Sequence, residues 1–195
     1  MRRNYLKHTN ANPLHRWLLR RFHACVADLA GDTGNRPAGS RILDVGCGEG
    51  FVLEFLRGRG YRERLVGMDA DRQAFAMGGR TEGDLLLGSA FDLPFRDGAF
   101  PLVLCLEVLE HLDNPRTAIA ELRRVSSGQI IVSVPSQPFF AASNFLRGKN
   151  LPTFGEDPEH VHHWTASQFL KLIRSNLRVE QVRHPFPWIV VLCRK

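Results

Sequence analysis

The sequence predicts an α/β fold built on a mostly parallel sheet. Short apolar runs alternate with amphipathic stretches, the pattern of strands joined by crossover helices. One such run, Ile42-Leu-Asp-Val-Gly-Cys-Gly-Glu-Gly50, passes straight into a glycine-rich turn and then a helical period. Length fits the same picture: 195 residues, 44% of them hydrophobic, close one sizeable core and fall short of two ordinary domains.

In chain order, Asn12 as N-cap and Pro13 in the first turn announce a helix, with Leu14, Leu18, Phe22, Cys25, Val26 and Leu29 expected on its inward face. The segment Gly31-Asp-Thr-Gly-Asn-Arg-Pro-Ala-Gly-Ser40 is a loop by composition. Strands are predicted at Arg41–Val45, Leu65–Asp69, Asp84–Leu87 and Leu102–Leu106, with helices near Gly50–Arg59 and Asp71–Met77. Asn114-Pro115 repeats the cap-plus-proline start, and Ala118, Ile119, Leu122 and Val125 give that helix a buried stripe. A fifth strand follows at Gln129–Val134. Between Pro135 and Trp164 the periodicity disappears, which predicts a lid or binding loop. Thr165-Ala-Ser-Gln168 is a capping box that opens a last helix, with Phe169, Leu172, Ile173 and Leu177 inward, and strands near Val179–Val182 and Trp188–Cys193 close the chain.

Several classes are excluded or disfavoured. No apolar run approaches the roughly 18 residues of a membrane-spanning helix. The basic start, Met1-Arg-Arg-Asn-Tyr-Leu-Lys7, lacks the apolar stretch of a secretory signal. Cys25, Cys47, Cys105 and Cys193 have no close-paired spacing, which suits reduced thiols and predicts a cytoplasmic protein rather than a disulfide scaffold. The net charge of +6 is concentrated in Arg2, Arg3, Lys7, Arg16, Arg20 and Arg21, ahead of the first acidic residue, Asp28. Such an arm attracts nucleic acid, anionic lipid or an acidic substrate, or forms a solvated helix face.

Gly46, Gly48 and Gly50 let the backbone turn sharply and approach a ligand at the carboxyl end of the first strand, where open α/β sheets bind their ligands. The loop is one residue tighter than a dinucleotide-binding Gly-x-Gly-x-x-Gly, and it carries Glu49 where a phosphate would sit. Asp69 ends the second strand 23 residues beyond Gly46, near the roughly 20-residue spacing at which an acid accepts from ribose hydroxyls. With Asp44 and Glu49 it makes one end of the site anionic. A nucleoside with a cationic tail fits; a dinucleotide does not.

The ordered set Ile42-Leu-Asp-Val-Gly-Cys-Gly-Glu-Gly50, Val66-Gly-Met-Asp-Ala70, Gly88-Ser-Ala-Phe-Asp-Leu-Pro-Phe95 with Asp97-Gly-Ala-Phe100, Glu107-Val-Leu-Glu-His-Leu112 and Val132-Ser-Val-Pro135 resembles the class I S-adenosylmethionine-dependent methyltransferases. The resemblance runs from Ile42 to the end. It implies a Rossmann-like, doubly wound sheet of seven strands in the order 3-2-1-4-5-7-6, with helices on both faces. It also implies one methyltransferase domain over 1–195: a cap helix region at 1–30, a cofactor-binding core at 41–134, a lid at 135–164, and a closing helix and strands at 165–195. S-adenosylmethionine would be held by Asp44, Gly46, Cys47, Gly48, Asp69, Ala70, Ala90, Phe91 and Leu106. Two positions depart from the family pattern: Ser89 stands where an acid is common, and Pro101 replaces an aspartate before the fourth strand.

Methyl transfer is an in-line displacement in which the protein mainly aligns the reactants and removes water. A hydroxyl acceptor also needs its proton taken, and Glu107, His111 and His160 are the catalytic candidates. No metal is expected. The alternative is a divalent ion on Glu107, Glu110, His111 and His160, a pattern similar to that of small-RNA terminal ribose methyltransferases. Phe139, Phe140, Phe145, Leu146, Leu151 and Phe154 are expected to line an apolar acceptor pocket, and Tyr5 and His8 to fold over the cofactor. Trp164 and Trp188 read as core, and Cys47 as a backbone contact rather than a nucleophile. The expected function is methyl transfer to a small or lipophilic acceptor, with O-methylation favoured. A nucleic-acid acceptor is disfavoured because Arg147 and Lys149 are the only basic residues in an otherwise phenylalanine-rich lid. The other rivals are a metal-assisted RNA ribose methyltransferase and a non-catalytic cofactor-binding module.

Overall fold

A computed structural model describes residues 12–31, 39–77, 83–146 and 160–195. Helix α1 (Pro13–Ala30) begins where Asn12 caps the backbone N–H groups of Leu14 and His15 through its side-chain oxygen. Strand β1 (Arg41–Val45) leads through the glycine turn to α2 (Phe51–Gly58), followed by β2 (Arg64–Asp69), α3 (Arg72–Met77), β3 (Asp84–Leu87) and β4 (Phe100–Leu106). A single 3-10 turn (Leu109–His111), α4 (Pro115–Val125), β5 (Ser126–Pro135) and α5 (Phe139–Leu146) come next. Helix α6 (Ala166–Arg174), β6 (Arg178–Arg183) and β7 (Trp188–Arg194) complete the described elements.

The seven strands form one sheet in the expected order, β3-β2-β1-β4-β5-β7-β6. Pairs β1–β2, β1–β4, β2–β3 and β4–β5 are parallel, whereas β7 is antiparallel to both β5 and β6. Successive strand side chains point to opposite faces, so one face of the sheet puts Leu43, Val45, Val103 and Cys105 against Ile119, Leu122, Phe169 and Ile173 of α4 and α6. The other face puts Ile42, Leu102 and Leu104 against Leu18, Phe22 and Val26 of α1 and Leu53 and Leu56 of α2. Both faces are covered, which is why the central strands read as nearly unbroken apolar runs. Strand order reverses at β1, so the crevice above the carboxyl ends of β1 and β4 is the natural ligand position.

Four local expectations are corrected. Leu14 is 55% exposed rather than inward, because α1 turns His15, Leu18, Leu19, Phe22, His23 and Val26 to the protein. Strand β4 starts at Phe100 and β5 at Ser126, both earlier than expected. Pro101 cannot donate to the ladder, and the β4–β5 register shifts between Phe100 and Leu102. Gly128 accommodates this shift, since a Cβ there would lie 2.7 Å from the Pro101 carbonyl oxygen. Finally, α5 occupies the start of the aperiodic lid: Phe-Phe-Ala-Ala has no polar face to give a helical period, yet the N–H of Ala141 finds the Gln137 side chain and that of Phe140 the Ser136 carbonyl.

Candidate active site

The site is built first from the turn after β1. Gly46 has φ +76°, and a Cβ at that position would lie 2.2 Å from Val108 Cγ2. Both conformation and space therefore demand glycine. The Gly46 and Cys47 N–H groups donate to the Met68 carbonyl at 2.7 and 3.1 Å, which ties the turn to β2. Asp69, at the end of β2, accepts from the N–H of Gly48 through Oδ2 and from that of Asp71 through Oδ1, each at 2.8 Å. One carboxylate thus fixes the glycine turn and the start of the β2–α3 connection and keeps lone pairs that can accept further bonds.

Two more carboxyl groups are buried beside it. Glu49 is buried within the turn, where a phosphate would have to lie. Asp44 is 2% exposed, and its Oδ2 has no hydrogen-bond partner among the described residues. Burial, reinforced by the Asp69 charge, raises the Asp44 carboxyl to about 7. A cationic ligand placed here relieves both effects. Burial also pushes the Cys47 thiol far above its ordinary range, with Asp44 and Asp69 adding to the shift, which disfavours the thiolate a nucleophile needs.

The crevice holds a small cavity of about 50 Å³ lined by Asp44, Gly46, Cys47, Phe51, Val52, Leu106 and Glu107, and roofed by Leu19, Phe22 and His23 of α1. Leu106, Asp44, Gly46 and Cys47 of the expected cofactor set line it. Ala70 is exposed, Ala90 is half-buried and Phe91 is 39% exposed, and none of the three lines this cavity. The segment that follows Ala90 and Phe91 is held by Arg124 of α4, which donates to the Leu93 and Phe95 carbonyls at 2.8 and 2.7 Å and pairs with Asp97 and Glu121. Glu121 in turn accepts from the Leu93 N–H.

At the exit of β4, Glu107 has φ +60°, a conformation that side-chain-bearing residues seldom hold without outside support. That support comes from three bonds: its N–H donates to the Ser133 carbonyl, the Ser133 hydroxyl donates to Oε1, and the indole N–H of Trp188 donates to Oε2 at 2.5 Å. Trp188 is buried, as the core reading expected, and its indole also orients the carboxylate of the pocket floor. Its ring packs 5.0 Å from that of Phe22 in the roof. The roles of Trp188, Leu19, Phe22 and His23 were not legible as site features. Only the helical spacing of the last three in α1 carried a signal, and it reads equally as core.

The 3-10 turn beyond Glu107 brings a second group together. One ligating atom from each of Glu110, His111 and His160 lies within 4.8 Å of the other two. The segment carrying His160 is strapped to this turn: the Val161 and His162 N–H groups both donate to the Glu110 carbonyl, and the His162 ring meets the Leu112 carbonyl oxygen at 3.0 Å. The His111 and His160 rings are 4.9 Å apart, and Phe140 lies 5.5 Å from His160. Glu107 stands outside this trio, which corrects the four-residue set, because its carboxylate is bonded toward β5 and β7 instead. Tyr5, His8, Leu151 and Phe154, and the side chains of Phe145 and Leu146, lie outside the described residues.

Fold and turn together resemble one class of proteins. A mostly parallel sheet with an antiparallel β7 beside its edge strand and a glycine turn clamped by the acid of β2 are similar to those of the class I S-adenosylmethionine-dependent methyltransferases. Residues 43–132 match the family described as Methyltransferase domain. The chain is 27% identical over 158 residues to a mitochondrial ubiquinone biosynthesis O-methyltransferase of Dictyostelium discoideum, covering 68% of this chain and 46% of that one. It is 31% identical over 125 residues to the demethylmenaquinone methyltransferase of Renibacterium salmoninarum, covering 62% and 50%. The chain spans about half the length of the curated relatives it matches. Among solved structures, magnesium protoporphyrin IX methyltransferase from Synechocystis with bound S-adenosylhomocysteine superposes with a TM-score of 0.72 over 99% of this chain and 92% of that chain, at 14% identity.

Proposed function

We propose that this chain transfers a methyl group from S-adenosylmethionine to a hydroxyl of a small, lipophilic acceptor. The observation that carries the cofactor assignment is the Gly46–Gly50 turn clamped on Asp69 with Glu49 buried inside it. Its negative charge suits the cationic sulfonium and ammonium of that molecule and opposes a diphosphate. When bound, S-adenosylmethionine supplies an electrophilic methyl group; the chain supplies alignment, exclusion of water and a proton acceptor. Asp69 orients the ribose, the Gly46–Gly48 backbone the methionyl portion, and Ala70, Ala90 and Phe91 flank the adenine. The roof residues Leu19 and Phe22 exclude water above the pocket.

His111 of the 3-10 turn and His160, whose ring lies 4.9 Å from it, are proposed to accept the hydroxyl proton as the new O–C bond forms, with the anchored Glu107 lining the cofactor pocket. An oxygen acceptor is favoured by this imidazole pair. The apolar character is favoured by Phe140 beside it, and by the two relatives, whose names concern ubiquinone and menaquinone.

A second reading is favoured by the mutual approach of Glu110, His111 and His160. One carboxylate and two imidazoles suit a divalent ion such as zinc or manganese, which would hold a vicinal diol or catechol and lower the pKa of its hydroxyl. The test is release of S-adenosylhomocysteine with hydroxylated aromatic acceptors, before and after chelation. The proposal expects acceptor-dependent release that His111→Ala lowers more than it lowers cofactor affinity. Cofactor binding without release for any hydroxylated acceptor would make the chain a binding module. Loss of turnover on chelation, restored by one metal, would select the metal-assisted reading.

A further inference from the structure

Helix α1 has a second face that the site does not use. Its inner face roofs the pocket, while Leu14 at 55% and Trp17 at 51% exposure point outward, beside the exposed Arg16, Arg20 and Arg21. On a helical projection Trp17 sits opposite the buried stripe, with Arg20 and Arg21 on either side. The Arg21 guanidinium lies 4.8 Å over the Trp17 ring. Residues 13–27 contain no acid, and Asp28 in the last turn is paired with Arg59 at 3.6 Å. The charge of Arg183 on β6 also reaches this helix, where it acts on Cys25.

We propose that this outer face of α1 docks the protein on an anionic lipid surface. Charge complementarity selects the occupant's sign, and the exposed indole and leucine select an interface with an apolar interior. Trp is suited to the headgroup boundary because its ring is apolar while its N–H stays hydrated, and arginine stems lie along such a surface with their heads at the phosphates. Nucleic acid would satisfy the arginines but give the Leu14 side chain no apolar environment. The inference deepens the lipophilic-acceptor reading and rests on it for its purpose: one helix would touch the bilayer with one face and cover the reaction pocket with the other. An acceptor dissolved in the membrane would then reach the site without crossing water.

The test uses the full chain and sedimentation with vesicles of phosphatidylcholine alone or mixed with phosphatidylglycerol. Binding is expected only to the mixed vesicles and is expected to weaken with added salt. At roughly fivefold per arginine near an anionic surface, the Arg16→Gln, Arg20→Gln, Arg21→Gln triple variant should bind about 100-fold more weakly. Vesicles should shift tryptophan emission to the blue in the wild type and not in Trp17→Phe, because Trp188 is already buried and Trp164 is half-buried against the core and stacked on His162. Cofactor affinity and turnover of a soluble acceptor should be unchanged in both variants, which also reports that they fold. Failure to sediment with mixed vesicles, or equal sedimentation of the triple variant, overturns the proposal. Tighter binding of a short RNA than of vesicles through the same arginines overturns it in favour of a nucleic-acid face. The vesicle assay needs neither cofactor nor acceptor, so its failure is separable from failure of the methyltransferase assignment.

Discussion

Replacing Asp44 with asparagine should stabilise the folded protein at alkaline pH and leave it unchanged at acid pH. The buried carboxyl is raised from an ordinary value of 3.8 to about 7, first by burial and then by the Asp69 charge. An acid whose pKa is higher in the folded state binds its proton more tightly there. Stability is therefore full below about pH 4, declines as pH rises toward 7, and is level above that. A shift of about three units corresponds to at most about 4 kcal/mol of stability lost across that interval. The amide of the Asp44→Asn variant has nearly the same shape and no charge to desolvate, so the variant should lose this slope. The assay is urea unfolding of both proteins at intervals from about pH 4 to pH 8. Curves that run parallel over the whole range would refute the burial argument, as would a variant less stable at the alkaline end. With S-adenosylmethionine present, the nearby positive charge should favour the ionised carboxyl, so wild-type affinity should rise from about pH 6 to pH 8 and that of the variant should not.

Asp69→Ala removes the acceptor of the Gly48 and Asp71 N–H groups and the proposed ribose ligand; calorimetry should show cofactor affinity reduced by about 2–4 kcal/mol, and unchanged affinity would move the ribose elsewhere. Gly46→Ala forces a Cβ into Val108 at positive φ and should lower stability by about 2 kcal/mol or more while weakening cofactor binding, with partial rescue by Val108→Ala. Trp188→Phe keeps most of the packing against Phe22 and deletes the N–H on Glu107. Unfolding free energy should fall by about 1.5–3 kcal/mol, and turnover should fall more than cofactor affinity.

The order of elements was legible because the helices between strands have a period of their own and the central strands are buried on both faces, whereas the strand order in the sheet was implied by the family resemblance alone. The glycine turn was legible for a related reason: Gly46 is demanded by local backbone shape and by one neighbour, Val108, only a strand away. What sequence could not give are the long-range partnerships. Trp188 and Glu107 are 81 positions apart and meet only because β7 returns beside β5. The approach of His160 to Glu110 and His111 was expected, but the two N–H groups of Val161 and His162 on the Glu110 carbonyl that hold it there are a contact that no periodicity encodes. The four-residue carboxylate and histidine set failed at Glu107 because side-chain spacing along one segment says nothing about the strands beside it. Leu14 was misplaced because the apolar residues of α1 cover more than one face, and the fold buries only one of them.

The central claim is that the clamped turn after β1 accepts a cationic nucleoside. Titration calorimetry of the purified chain with S-adenosylmethionine, S-adenosylhomocysteine and NADH tests it most directly. The account predicts saturable one-to-one binding of the two adenosyl compounds, abolished or strongly weakened by Asp69→Ala, and no heat with NADH. Binding of NADH at this turn, or no binding of either adenosyl compound by folded protein, would contradict it.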